Sequence, residues 1–252
     1  MFGLFKKKQT GVEDTTSTGG INLSKEEALN QLNLRKETLG ISLKKQVNRD
    51  IMARVAVVMD QSGSMRHLYR DGTVQSVIER LLPLAIQFDD NGELDMWLFS
   101  NSFKRINSIT EQDFFGYVDR EIMNNRANQL WGGTNYAPVL RDILSKYVEQ
   151  EPANIPSYVI FVTDGENFDH LEAEEVVRAL SYENVFIQFI GIGNESFKFL
   201  RKLDTMDGRF IDNANFFAIE DVRQVTDEWL YDKLLAEFPQ WEQLARAKGM
   251  IK

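Results

Sequence analysis

Three apolar runs constrain this chain more than any other feature: Val55-Ala56-Val57-Val58-Met59, Tyr158-Val159-Ile160-Phe161-Val162, and the segment Val185–Ile190. A strand with one wet face alternates apolar and polar residues. A strand that stays apolar position after position is covered on both faces. Helical spacing separates the runs, with Val74, Val77, Ile78, Leu81, Leu82, Ala85 and Phe88 in one segment and Leu171–Leu180 in another. Strands alternating with helices of this length predict an α/β fold, a doubly wound and mostly parallel sheet with helices on both faces. Leu94–Phe99 reads as a further strand. Phe103–Ile106 follows it after a turn as a short antiparallel edge strand, and Asn215–Ile219 reads as the last strand.

Local signals place the remaining elements. Thr110 is expected to cap a helix reaching about Met123, and Thr134 to open one reaching about Val148. A short helix is expected over 196–203, a longer one over 221–237, and helix again after Pro239. Pro83 should kink its helix or end the first half of it, because it lacks an N–H and crowds the preceding turn. The segment 21–45 is ambiguous. Ile21–Lys25, Leu32–Lys36 and Ile41–Lys45 each read apolar, polar, Leu, polar, Lys, an alternation that suggests short strands. Ser24 and Glu27, however, have the spacing of a helix capping box. The resulting division is a flexible N-terminus over 1–20, an appendage over 21–51, the main domain over 52–235 and a helical tail over 236–252.

In open parallel sheets, function gathers beyond the C-terminal ends of the strands, where the strand order reverses. Two of the three strong runs lead there into aspartates, Asp60 and Asp164. Between them in sequence stands Gly132-Gly133-Thr134. Ser62 and Ser64 follow Asp60 two and four residues on. In an extended loop that spacing points both hydroxyls the same way, with Gly63 expected to let the backbone turn tightly between them. Gly132 and Gly133 are expected to free the loop that brings in Thr134. Two carboxylates and three hydroxyls suit a hard divalent cation, Mg²⁺ first and Mn²⁺ or Ca²⁺ as alternatives, since such ions take oxygen ligands and Mg²⁺ retains waters. Either aspartate alone is an ordinary turn or cap residue. Five matching oxygen groups together point to metal. Glu166, Asn167 and His67 read as solvated surface, His170 as a helix start, and Trp229, Phe238 and Trp241 as packing.

Asp60-x-Ser62-x-Ser64, Thr134 and Asp164, each aspartate preceded by a buried strand, resemble the five-point metal-ion-dependent adhesion site of von Willebrand factor A (VWA) domains. The resemblance covers roughly 52–235. It implies a Rossmann-like fold with one metal site above the sheet. Within that site the serines coordinate directly, and Thr134 and Asp164 shift between direct and water-bridged contact when a partner's carboxylate completes the metal. The Φ-x-Leu-x-Lys strip, Asp60–Met65, Leu68–Gln75 and Phe88-Asp89-Asp90-Asn91-Gly92 further resemble the bacterial VWA proteins of tellurite-resistance and stress gene clusters. This implies a cytoplasmic protein-binding module whose partner presents an Asp or Glu.

Composition narrows the alternatives. The net charge is −9, which disfavours phosphate backbones and so nucleic acid. The absence of Cys removes disulfides, thiol catalysis and cysteine-ligated metals, and it is compatible with a reducing compartment. The opening MFGLFKKK has apolar and basic residues in the reverse order of a secretory signal, and reads as a frayed end that touches an anionic membrane weakly at most. Ser62 lacks the Gly-x-Ser-x-Gly setting of a hydrolase nucleophile. The rival reading, a phosphotransferase or hydrolase with Asp60 as nucleophile, lacks the usual second aspartate, because that position is Ser62, and lacks an assignable phosphate-holding Lys. Gly191-x-Gly193 is followed by Ser196, so the dinucleotide fingerprint fails. A scaffold with a vestigial metal site is the remaining alternative. The chain is read as a binding module rather than an enzyme.

Overall fold

The computed structural model describes residues 24–47, 50–89 and 91–251. The MFGLFKKK segment, the linker expected over 6–20 and most of the first Φ-x-Leu-x-Lys copy lie outside them. The elements run α1 (Lys25–Gln46), β1 (Arg54–Asp60), α2 (Arg66–Arg70), α3 (Thr73–Phe88), β2 (Leu94–Phe99), β3 (Phe103–Ile109), α4 (Ala137–Leu144), β4 (Ser157–Thr163), α5 (His170–Leu180), β5 (Val185–Ile192), α6 (Lys198–Thr205), β6 (Ala214–Ile219), α7 (Asp227–Leu234) and α8 (Phe238–Ala247). Among the described residues, no helix is long and apolar enough to cross a membrane.

The six strands form one sheet in the order β3-β2-β1-β4-β5-β6, parallel except for the antiparallel β2–β3 pair. The continuous apolar runs have the physical cause expected of them. Val55, Val57, Met59, Tyr158, Ile160 and Val162 face one helical layer, which includes α1, α3, α7 and α8. Ala56, Val58, Val159, Phe161, Ile187 and Phe189 face the other, formed by α4, α5 and α6. Each strand residue therefore has a dry neighbour whichever way it points. Because β1 pairs with β2 on one side and β4 on the other, the chain reverses its direction of travel between β1 and β4. That opens a crevice at their C-terminal ends.

Residues 25–46 form a helix and not strands. The capping box is made: Ser24 Oγ accepts from Glu27 N–H, and the Glu27 carboxylate accepts from Ser24 N–H at 2.8 Å. Ala28, Leu32 and Leu39 are buried at helical spacing in the same core as the sheet, while Leu34 and Ile41 are 62% and 55% exposed. The alternation in the sequence thus mixes two helix faces. Arg35 fastens α1 to its neighbours through Glu79 of α3 (3.4 Å) and Asp227 of α7 (3.5 Å).

Four local expectations are corrected. Pro83 does not end the first half of its helix: it lies inside α3, which continues to Phe88, its missing hydrogen bond tolerated where the helix is packed on the core. Thr110 starts a turn closed by Asp113, and helical structure waits until Val118 because Gly116 adopts a left-handed φ of 64°. The helix expected from Asp221 becomes a single tight turn at Val222–Gln224. A second start follows, in which Thr226 caps α7 by accepting from Trp229 N–H. Thr134 does not open α4, whose first residue is Ala137. As read from sequence, Phe238 and Trp241 are packing residues, with Phe238 stacked on Tyr158 at 4.4 Å.

Glu237, at the start of α8, is pushed up to about 7 by burial and then by Asp204 and Asp212. The folded chain therefore holds this proton more tightly than the unfolded chain, whose ordinary value is 4.5. Its contribution to stability is complete below 4.5 and is lost as pH rises through about 7. Glu237→Gln is expected to remove that loss. Discounted for solvent screening of a half-buried group, the gain near pH 8 is about 0.5–1 kcal/mol, with none near pH 4. Urea unfolding at the two pH values checks this, and an unchanged pH slope in the variant refutes it.

Candidate functional site

The crevice between β1 and β4 collects the motif. Asp60 is the last residue of β1 and is 0% exposed, while Asp164 lies just past the end of β4. Register places Met59 beside Val162, and Thr163 Oγ1 donates to Asp60 Oδ2 at 2.6 Å. The other Asp60 oxygen accepts from the Ser62 N–H at 2.6 Å, which folds the chain back at once after the strand. Ser62 Oγ and Ser64 Oγ are 3.0 Å apart, and Ser64 Oγ donates to Asp164 Oδ1 at 2.9 Å. Four of the five expected residues are thereby tied into one constellation. Thr134 belongs to the loop beside it. The Gly63 N–H donates to Gly132 O at 3.0 Å, and the Thr134 carbonyl accepts from Phe168 N–H at 3.0 Å.

Burial raises the Asp60 carboxyl to about 6 against the hydrogen bonds from Thr163 and Ser62 that hold it down. Burial likewise raises Asp164, with Ser64 and His67 opposing. Among the described residues Asp60 has no ion-pair partner, so a buried carboxylate stands uncompensated except by those hydrogen bonds. Among the described residues, no group of three or more His, Cys, Asp and Glu is placed to hold a metal. An ion at this crevice would rest on hydroxyls as much as on carboxylates.

The glycines act differently from expectation. Gly63 does not have a positive φ, and a Cβ there would meet only Gly132 O at 3.8 Å. Gly132 is required by close approach instead: a Cβ would lie 1.9 Å from Asn101 Oδ1. That same oxygen accepts from the Gly133 N–H, holding the Gly-Gly-Thr loop down on the β2–β3 turn. The strained residue in this loop is Trp131, with φ of 45°, held between the Tyr69 ring (centroids 5.2 Å) and the Arg66 guanidinium (4.7 Å).

Several supporting residues escaped the sequence reading. Tyr69 OH donates to the Asp60 carbonyl at 2.9 Å, and Tyr136 OH donates to the Gly165 carbonyl at 2.6 Å. Asp169 caps α4 from a separate loop, accepting from Tyr136 N–H at 2.9 Å and Ala137 N–H at 2.7 Å. Gln61, wholly buried, accepts from Leu130 N–H at 2.7 Å. Only Thr163 had a usable signal, as a hydroxyl closing an apolar run directly before Asp164. Asn167, expected in solvent, is buried and donates to Asp169 at 2.6 Å. Glu166 and His67 are exposed, with His67 Nδ1 2.8 Å from the Ser64 carbonyl oxygen. His170 begins α5 and stacks on Phe199 at 4.1 Å.

The family described as "vWA found in TerF C terminus" matches residues 52–251. The chain is 47% identical over 221 residues to the Bacillus subtilis (strain 168) protein described as "Uncharacterized protein YcbR", covering 88% of this chain and 90% of that one. Among solved structures it is similar to proximal thread matrix protein 1 from the mussel byssus, with TM-score 0.56 and 17% identity over 74% of this chain and 48% of that one. It is also similar to a von Willebrand factor type A protein from Catenulispora acidiphila, with TM-score 0.54 and 16% identity over 75% of this chain and 43% of that one. At such identities these two structures speak for the fold alone, and this chain spans less than half the length of either.

Proposed function

Because this chain belongs to the von Willebrand factor A family, in the form found at the C terminus of TerF, we propose that it is a divalent-metal-dependent protein-binding module. Domains of this family are commonly protein-interaction modules. The observation that carries it is the constellation itself. Ser62 Oγ, Ser64 Oγ and Asp164 Oδ1 stand within hydrogen-bonding distance in sequence along the rim, above a buried Asp60 with no ion-pair partner among the described residues. These oxygens fit a hard cation, Mg²⁺ first and Mn²⁺ or Ca²⁺ otherwise, and Thr134 is the fifth group for it.

Ser62, Ser64, Thr134, Asp60 and Asp164 would hold the ion. Thr163, Tyr69 and the Ser62 N–H fix Asp60, and the Gly63–Gly132 hydrogen bond keeps the Thr134 loop against the serine loop. When bound, the ion supplies a positive position open to a carboxylate on the surface of a chain whose net charge is −9. An Asp or Glu of a partner protein takes that position, so that binding is conditional on the ion. The kinship with the TerF C terminus supports a setting in a cytoplasmic tellurite-resistance or stress system. The nucleophile reading of Asp60 keeps the weakness it has in the sequence, where Ser62 stands at the position of the second aspartate that such chemistry uses.

The test is thermal unfolding in MgCl₂, MnCl₂, CaCl₂ and EDTA. At about 100 times its Kd, an ion that binds only the folded chain adds about 2.7 kcal/mol. That corresponds to about 5–10 °C for a chain of this size. The double variant Ser62→Ala, Ser64→Ala should unfold at its own EDTA temperature whichever ion is present. Absence of any shift in the parent, or the same shift in the variant, refutes the site.

A further inference from the structure

We propose that the partner segment at this face carries its metal-directed carboxylate between a basic side chain on one side and an apolar side chain on the other. This rests on the metal-dependent reading above and adds the chemistry of the occupant. Beside Asp164 opens a groove of about 590 Å³, bounded by α2, the turn after β5 and the turn after β6. Asp71, Glu195, Glu220 and Asp221 line it together with Asp164. Its one arginine, Arg223, is folded back on Asp221, with Nε 3.0 Å from the carboxylate. Among the described residues Glu195 and Glu220 have no ion pair, and both are exposed.

This groove is not a second metal site. Among the described residues no three of its carboxylates and imidazoles converge on a point, and its volume is many times that of an ion. Dispersed carboxylates in an open groove match extended cations that bring their own hydrogen-bond donors, the side chains of Arg and Lys. An acidic or phosphorylated segment is repelled there.

A second surface beside the motif has the opposite character. Phe168, four residues past Asp164, is 83% exposed, and Leu171, in the first turn of α5, is 73% exposed. The Phe168 ring lies against the Gly-Gly-Thr loop, 3.3 Å from where a Cβ on Gly133 would sit. An aromatic ring this bare, beside a polar site, gains by burial against an apolar partner residue. Asp164 lines the groove, whereas the Thr134 carbonyl accepts from the Phe168 N–H, so the acidic and the apolar surfaces adjoin different residues of the motif.

The test uses fluorescein-labelled synthetic peptides on a Gly-Ser frame, with a central Glu, Leu on one side and Arg, Gln or Glu on the other, in both orders, read by fluorescence anisotropy in MgCl₂ and in EDTA. The Leu–Glu–Arg peptide is expected to bind about three- to fivefold more tightly than its Gln counterpart, and the all-acidic peptide more weakly than either. Glu195→Gln with Glu220→Gln should erase the Arg preference and leave the magnesium-induced thermal shift intact. Phe168→Ser should weaken the Arg and Gln peptides equally. Magnesium-dependent binding without an Arg preference, or a preference that survives the double variant, overturns the groove assignment and leaves the metal reading standing. An Arg preference that persists undiminished in EDTA overturns the metal reading instead. No binding by any peptide at about millimolar concentration overturns the proposed occupant.

Discussion

Phe161→Ala is expected to be the most destabilising single substitution considered for this protein. Phe161 sits mid-way along β4, between β1 and β5, and is wholly buried. Its ring lies 4.6 Å from Phe99, 4.9 Å from Tyr136 and 5.3 Å from Phe189, so truncation removes the centre of an aromatic layer rather than one contact. Neighbouring strands are hydrogen-bonded in place and cannot close the cavity. Phe-to-Ala changes in such settings cost about 3–5 kcal/mol. For a chain of this size that lowers Tm by about 6–20 °C. The loss also reaches the crevice, since Tyr136 packs on Phe161 and holds the Gly165 carbonyl through its hydroxyl. Phe161→Leu, which keeps most of the volume, should recover more than half. A calorimetric scan of both variants decides the matter: an alanine variant within about 1 kcal/mol of the parent would show that this layer is not the core.

Asp60→Asn is expected to separate stability from binding. The carboxylate is buried, has no ion-pair partner among the described residues, and is raised to about 6 chiefly by desolvation. Asparagine can keep the acceptor for the Ser62 N–H, and its amide can donate to Thr163 Oγ1, whose own hydrogen is free to rotate. Without metal, the variant should therefore be more stable than the parent by about 1–2 kcal/mol at neutral pH, because an uncompensated buried charge is gone. With magnesium the order should reverse: the parent gains and the variant does not, its affinity falling by at least about 100-fold. Chemical denaturation of both proteins in EDTA and in excess MgCl₂ gives the four free energies. A variant less stable than the parent in EDTA would contradict the account of Asp60 as a strained group, and an unaltered magnesium increment would contradict its place in the site.

The three buried strands and the motif at their ends were legible because both signals are written in contiguous residues. A strand covered on two faces is apolar throughout, and Asp60, Ser62, Ser64 and Asp164 directly follow such strands. The same reasoning left 21–45 undecided. Leu32 and Leu34, or Ile41 and Leu43, alternate as strand residues would, and only the positions of α3 and α7 determine that Leu32 and Leu39 go inward while Leu34 and Ile41 stay out. Thr134 was placed at a helix start because it is a good local cap. The cap that forms comes instead from Asp169, more than thirty residues along the chain, and a carboxylate so far away has no local pattern by which to be read. Gly132 looked like a source of flexibility, but it is a point where Asn101 comes too close for any side chain.

By itself, then, the sequence determined which segments are covered on both faces and which oxygen groups stand at the ends of strands, since periodicity and adjacency are properties of the chain. Tertiary structure alone decided which face of α1 is buried, where α4 begins, and what flanks the crevice. The carboxylates of one flank come from α2 and from the turns after β5 and β6, and Phe168 of the other is set against a loop from a different part of the chain. Those properties exist only between segments remote in sequence, where burial and hydrogen bonding are settled by which partner arrives and not by what each segment prefers on its own.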